Sequence, residues 1–255
     1  MNRIENAFKN KPIFMPYFPL GYPDLETSID VIEALAKNGA DLIEVGLSFS
    51  DPLADGPVIQ KATQVALEKG ITIKKSLAAV AELRRRGVTI PFILMGYFNP
   101  MLAYGLEKFI RDAREAGADG FIIPDLPLEE AGEFQSLVGD MPLIQMLAPT
   151  SPNERMELIA RTAKGFIYLV SVTGVTGART EISDGLGGLI NRVREHTSVP
   201  VCVGFGISTP EQAAQVGALA DGVIVGSACV KMIGSSKMPV ETAKQFAAEF
   251  RSALN

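Results

Sequence analysis

A short aliphatic run followed by an amphipathic stretch recurs eight times along these 255 residues. No other feature narrows the fold as much. A strand that runs into a helix can pair with the next strand only in parallel, so the repeat dictates a parallel sheet covered by helices. The candidate strands are Ile13–Phe18, Leu42–Val45, Phe92–Met95, Gly120–Ile123, Leu143–Leu147, Phe166–Ser171, Val201–Gly204 and Gly222–Val225. Leu25–Asn38 shows the intervening pattern, with Ile29, Ile32 and Leu35 on one face and Ala36 beside them. Leu106–Ala116, Glu129–Val138, Asn153–Thr162, Leu186–His196 and Thr209–Val216 repeat it, and Val240–Leu254 closes the chain.

The junctions repeat as well. Gly39-Ala40-Asp41, Gly117-Ala118-Asp119 and Ala220-Asp221-Gly222 each lead from a helix end into a strand, glycine supplying the left-handed stop. Eight such units without a shift in composition predict one domain over residues 1–255, a (β/α)8 barrel. An open doubly wound sheet is the alternative. It calls for a glycine-rich turn after the first strand, where this chain has Pro19-Leu20-Gly21-Tyr22-Pro23. Between Ser48 and Phe92 the connection is too long for one helix. Its periodicity predicts two, from about Val58 to Lys69 and from Ile73 to Arg86, which places an extra helix on the C-terminal face of the barrel. Val225-Gly226-Ser227-Ala228 predicts a further short helix after the eighth strand.

Composition excludes several classes of function. The net charge of −5 and the scattered basic residues argue against nucleic acid. Arg84-Arg85-Arg86 is the one basic run, and it sits where a helix C-terminus favours positive charge. Apolar runs are strand-sized, so no membrane span is expected, and a polar N-terminus without a signal core predicts a cytoplasmic protein. One histidine, His196, and two distant cysteines, Cys202 and Cys229, offer no metal site.

Chemistry is therefore sought among carboxylates and glycines. Glu44 interrupts the buried run Asp41-Leu42-Ile43-Glu44-Val45-Gly46-Leu47, where an ionised side chain loses most of its hydration. Downstream, Asp51 and Asp55 sit in a loop from Phe49 to Pro57. From the residues alone Asp55 reads equally as turn material and as an acid of the site, and Asp51 as a loop cap or a partner contact. At the C-terminal ends of strands six to eight lie Gly177, Gly206, Gly226 and Ser227. Together they predict a cradle of backbone N–H groups for a phosphate, with no lysine or arginine required.

The segment Phe49-Ser50-Asp51-Pro52-Leu53-Ala54-Asp55-Gly56-Pro57 resembles the signature of the tryptophan synthase α subunits, with the glutamate eleven positions before Asp55. Met15-Pro16-Tyr17, Asn99-Pro100, Pro124-Asp125-Leu126-Pro127, Tyr168-Leu169-Val170-Ser171 and Gly174-Val175-Thr176-Gly177 follow in family order, so the resemblance covers essentially the whole chain. It implies a lyase that cleaves indole-3-glycerol phosphate by a retro-aldol reaction to indole and glyceraldehyde 3-phosphate. By this resemblance Glu44 is the general acid and base, and Asp55 accepts the indole N–H. Tyr17, Leu94, Ile122, Tyr168, Thr176 and Phe205 form the substrate pocket, and the loop through Thr176–Arg179 and Asp184 is a lid. Asp51, Pro52 and Asn99 face a β subunit in an α2β2 heterotetramer, to which indole passes. Pyridoxal phosphate is expected on that subunit and no cofactor on this chain. Two residues depart from the family pattern: Ser48 stands where proline is usual, and Tyr22 where the turn after the first strand usually has aspartate. A free-standing lyase releasing indole, and a weakly catalytic subunit that mainly activates a partner, are the alternative readings.

Overall fold

The computed structural model describes residues 2–10, 12–170, 185–204 and 206–255. Eight parallel strands form the sheet: β1 Ile13–Pro19, β2 Ile43–Gly46, β3 Phe92–Met95, β4 Gly120–Ile122, β5 Gln145–Leu147, β6 Ile167–Val170, β7 Val201–Gly204 and β8 Gly222–Val225. Their order is β4-β3-β2-β1-β8-β7-β6-β5, and a parallel bridge from Phe121 to Leu143 joins the two outer strands. The sheet thus closes into the expected barrel. Alternation along each strand divides the core into two parts. Ile13, Met15, Leu42, Ile93, Ile122, Phe166, Cys202 and Ile224 fill the interior, while Phe14, Val45, Leu94, Phe121, Leu169 and Val203 meet the helices outside.

The helices are α1 Arg3–Ala7, α2 Leu25–Lys37, α3 Pro57–Glu68, α4 Ile73–Arg85, α5 Phe98–Tyr104, α6 Leu106–Ala116, α7 Gly132–Val138, α8 Asn153–Thr162, α9 Leu186–Arg194, α10 Pro210–Gly217, α11 Ser227–Gly234 and α12 Pro239–Ala253. The two-helix insertion after β2 appears as α3 and α4, and the short helix after β8 as α11. Sequence periodicity did not reveal α1 or α5, because five and seven residues are too few to display a 3.6-residue period. The stretch expected as one helix over Glu129–Val138 instead breaks into a 3-10 turn at Leu128–Glu130 and α7, with Gly132 at the joint. In α1, Asn2 and Glu5 form a reciprocal capping box, and Ile4 and Phe8 plug the N-terminal end of the barrel, the Phe8 ring 5.9 Å from that of Phe166.

The repeated Ala-Asp junctions have a common job at that end. Asp41 accepts the N–H of Phe14 at 2.8 Å and returns its own N–H to the Phe14 carbonyl at 2.9 Å. Asp119 does the same with Phe92 (2.8 and 2.9 Å), and Asp221 with Val201 (3.0 and 2.9 Å). An arginine from a covering helix neutralises each: Arg251 on Asp41 at 2.7 Å, Arg84 on Asp119 at 2.7 Å and Arg194 on Asp221 at 3.0 Å. Charge-assisted bonds thus stitch β1 to β2, β3 to β4 and β7 to β8 at their starts. The opposite end of the barrel carries the loops that build a site.

Candidate active site

Glu44 lies on the inward face of β2, in register with Tyr17 of β1 and Ile93 of β3. It is 1% exposed, and its Oε1 has no hydrogen-bond partner among the described residues. Burial alone drives its carboxyl up to about 8, with no cation or donor group to oppose the shift. The group therefore keeps its proton at neutrality. Tyr17 on the adjoining β1 and Tyr168 on β6, which line the same cavity, are its polar company. A β-carbon on Gly46 would fall 2.3 Å from the Tyr17 hydroxyl, and one on Gly204 2.3 Å from the Tyr168 hydroxyl. The two glycines are thus required by close approach, since any side chain would evict a tyrosine oxygen from the site.

Asp55 reaches the site from the loop after β2. The loop is folded on itself by the Leu53 N–H to the Asp51 carbonyl and the Asp55 N–H to the Pro52 carbonyl, both at 3.0 Å. Tyr97, just before α5, holds it in place: its hydroxyl accepts the Ala54 N–H at 3.0 Å and donates to the Asp55 carboxylate. Desolvation raises Asp55 to about 6, and the Tyr97 bond pulls the other way. Tyr97 is itself positioned by packing against Phe49, ring centres 5.5 Å apart. The next residue, Phe98, donates its N–H to Asp125 at 2.9 Å, so the Pro124–Pro127 motif serves to cap α5. Nothing in the sequence marks Tyr97 for this role, because its partner lies 42 positions earlier.

Glu44 and Asp55 open into one cavity of about 500 Å3. Its walls include Tyr17, Met95, Tyr168 and Ile224, and Gly206, Ser208, Gly226 and Ser227 from the ends of β7 and β8 line it as well. Leu94 must be corrected: it lies on the outward face of β3 against the helices, and Met95 takes the expected place in the wall. The pleat allows only every second residue inward, and on β3 those residues are Ile93 and Met95. Ile122 does face inward but packs in the interior cluster rather than lining the cavity. Thr176, Gly177 and Phe205, with the expected lid, lie outside the described residues. Asp51 and Asn99 are exposed and Pro52 half-buried on the same rim, beside Leu53, which is 91% exposed. Tyr22, one of the two departures from the family pattern, packs its ring against Gly234 of α11, where a β-carbon would come within 2.2 Å of it. Among the described residues no cluster of His, Cys, Asp and Glu could hold a metal, and no helix is long and apolar enough to cross a membrane.

A (β/α)8 barrel that opens a buried acid, a second carboxylate and two glycine-bearing strand ends into one pocket has the frame of an acid–base enzyme. The family model described as tryptophan synthase alpha chain matches residues 4–254. The tryptophan synthase alpha chain of Chloroflexus aggregans is 49% identical over 237 residues, 90% of this chain and 89% of its own. That of Geobacillus stearothermophilus is 50% identical over 226 residues, 88% and 84% of the two chains. Among solved structures, tryptophan synthase from M. tuberculosis in its aminoacrylate-bound form superposes with a TM-score of 0.89 at 33% identity, covering all of both chains. This chain belongs to the tryptophan synthase alpha chain family.

Proposed function

We propose that Glu44 carries the proton transfers of one carbon–carbon bond cleavage and that Asp55 stabilises the charge those transfers create. The chain is a lyase of tryptophan biosynthesis, and its reaction is the cleavage of indole-3-glycerol phosphate to indole and glyceraldehyde 3-phosphate. Glu44, protonated at neutral pH, delivers its proton to C3 of the indole ring. That makes the ring an electron sink for the adjoining bond. The resulting carboxylate then takes the proton of the side-chain hydroxyl next to C3 as the bond breaks and the aldehyde forms. One group gives a proton and receives one, so the enzyme returns to its starting state. Positive charge builds on the indole nitrogen when C3 is protonated, and the Asp55 carboxylate accepts the N–H and stabilises that charge. Tyr17, Met95 and Tyr168 hold the ring between the acids and the cradle, while Gly206, Gly226 and Ser227 take the phosphate.

The observation that carries this reading is Glu44 Oε1, a buried acceptor left unpartnered in a cavity that also holds Asp55. A buried polar atom without a bond costs about 1–3 kcal/mol, a cost an active site recovers when substrate arrives. The rim of Asp51, Pro52, Leu53 and Asn99 is assigned to a β subunit, in a cytoplasmic α2β2 assembly whose pyridoxal phosphate resides on β. The steps given to this chain need no cofactor. The test is steady-state cleavage of indole-3-glycerol phosphate by the full chain with and without a β subunit. Slow turnover alone and strong activation by β are expected. Fast turnover that β leaves unchanged would establish the free-standing lyase instead.

A further inference from the structure

The cavity has a wall that the cradle of glycines does not explain. Ser227, Ala228, Lys231, Met232 and Ser235 all line it. These positions are i, i+1, i+4, i+5 and i+8, one continuous face of α11 and its C-terminal end, so the helix lies along the pocket rather than merely pointing at it. Among the described residues, Lys231 is the one cation on the cavity wall. Its side chain is exposed and, like most lysines of this chain, forms no ion pair with any described residue. Helical side chains lean toward the helix N-terminus, so the Lys231 stem runs back over the turn that contains Ser227. Four residues of rise are about 6 Å, a distance that four methylenes span. A stem of that length is sufficient to bring the ammonium toward Gly226 and Ser227, which line the same cavity.

We propose that Lys231 is a binding residue for the phosphate dianion of the substrate, adding a mobile charge to the backbone cradle. This rests on the reading of that cradle given above. Backbone N–H groups fix where the phosphate sits but supply only partial charge, and a dianion entering a pocket with two carboxyl groups gains from a full positive charge on its path. Ser227 and Lys231 would then act together, one as a short fixed donor and the other as a flexible cation at the mouth. The sequence reading required no lysine for the cradle and did not single out Lys231, which sits in the last turn of α11 where the helix dipole alone favours a positive charge.

The experiment uses the full chain in the condensation direction, with indole and either glyceraldehyde 3-phosphate or unphosphorylated glyceraldehyde. The readout is the ratio of kcat/KM for the two aldehydes in wild type, K231Q and K231R. K231Q should lower that ratio about tenfold, the scale of one exposed charge-assisted bond, with the loss in KM for the phosphorylated aldehyde rather than in kcat. It should also flatten the fall of kcat/KM with rising salt, and raise Ki for inorganic phosphate as a competitive inhibitor. K231R should restore most of the ratio. A K231Q ratio equal to wild type overturns the assignment. So does an equal loss with both aldehydes, the result of a merely structural role on α11. A wild-type ratio near one overturns the phosphate cradle itself, and Lys231 with it.

Discussion

Replacing Glu44 by Gln tests the central claim without changing the size of the side chain. The carboxyl titrates at about 8 in the barrel against 4.5 ordinarily, and the cause is desolvation. A folded-state midpoint raised this way means that the native protein holds a proton the unfolded chain has already released. Wild-type stability should therefore be fullest below pH 4.5, fall as the pH rises, and level off above about 8. Each pH unit inside that window is worth about 1.4 kcal/mol, so the total is about 5 kcal/mol. Gln does not titrate. The difference in unfolding free energy between Glu44→Gln and wild type should thus move in favour of the variant by about 5 kcal/mol from pH 4.5 to pH 9. Urea titrations of both proteins at four pH values in that range measure it, and subtraction removes every other titrating group. A difference that stays flat across the window would refute the idea that Glu44 is buried without compensation. The same variant should lose about a thousandfold in cleavage rate, the scale of a general acid–base group, while still binding substrate. Near-normal turnover would sink the mechanism.

The remaining predictions concern groups around that acid. The pH–rate profile should be bell-shaped, rising as Asp55 ionises near 6 and falling as Glu44 ionises near 8. Asp55→Asn should cost about a hundredfold in kcat and abolish the acidic limb. Tyr97→Phe removes the bond that holds Asp55 down, so the acidic limb should shift to higher pH; an unmoved limb would show that Tyr97 does not position Asp55. Gly46→Ala places a methyl group 2.3 Å from the Tyr17 hydroxyl, and should cost about 1–3 kcal/mol in a urea titration along with much of the activity. At the far end of the barrel, Asp119→Ala leaves the part-buried Arg84 without its carboxylate, though still bonded to the Gly117, Val88 and Ile90 carbonyls, and the Phe92 N–H without its side-chain acceptor. About 1–3 kcal/mol of stability should be lost, with KM for substrate nearly unaltered because the cavity lies at the other end of the strands.

Much of this architecture is written in local patterns. Parallel strands, their spacing and the covering helices follow from apolar periodicity, which depends on near neighbours. The bounds of β3, β7, β8, α6 and α8 agree with the reading of the chain alone. Glu44 was legible for the same reason, since a lone carboxylate in a strand-sized apolar run is unusual wherever it occurs. The glycines after strands seven and eight could likewise be placed once strand ends were known, and both Gly206 and Gly226 do line the cavity.

Other features depend on residues distant in the chain, and local patterns carry no record of them. The Ala-Asp junctions read locally as the steps from a helix stop into a strand, yet each aspartate bonds a strand start 20 to 27 residues earlier and an arginine on a covering helix. Leu94 and Met95 are both apolar and adjacent, and only the register of β3 between β2 and β4 decides which one faces the pocket. Tyr97 became part of the site because β3 and the loop after β2 end side by side. Lys231 did so because α11 lies along the cavity. The sequence by itself determined that this chain closes a barrel around a buried acid, because periodicity and desolvation are local. Which side chains surround that acid was decided only by the tertiary structure, because closing the barrel brings together strand ends that are far apart in the chain.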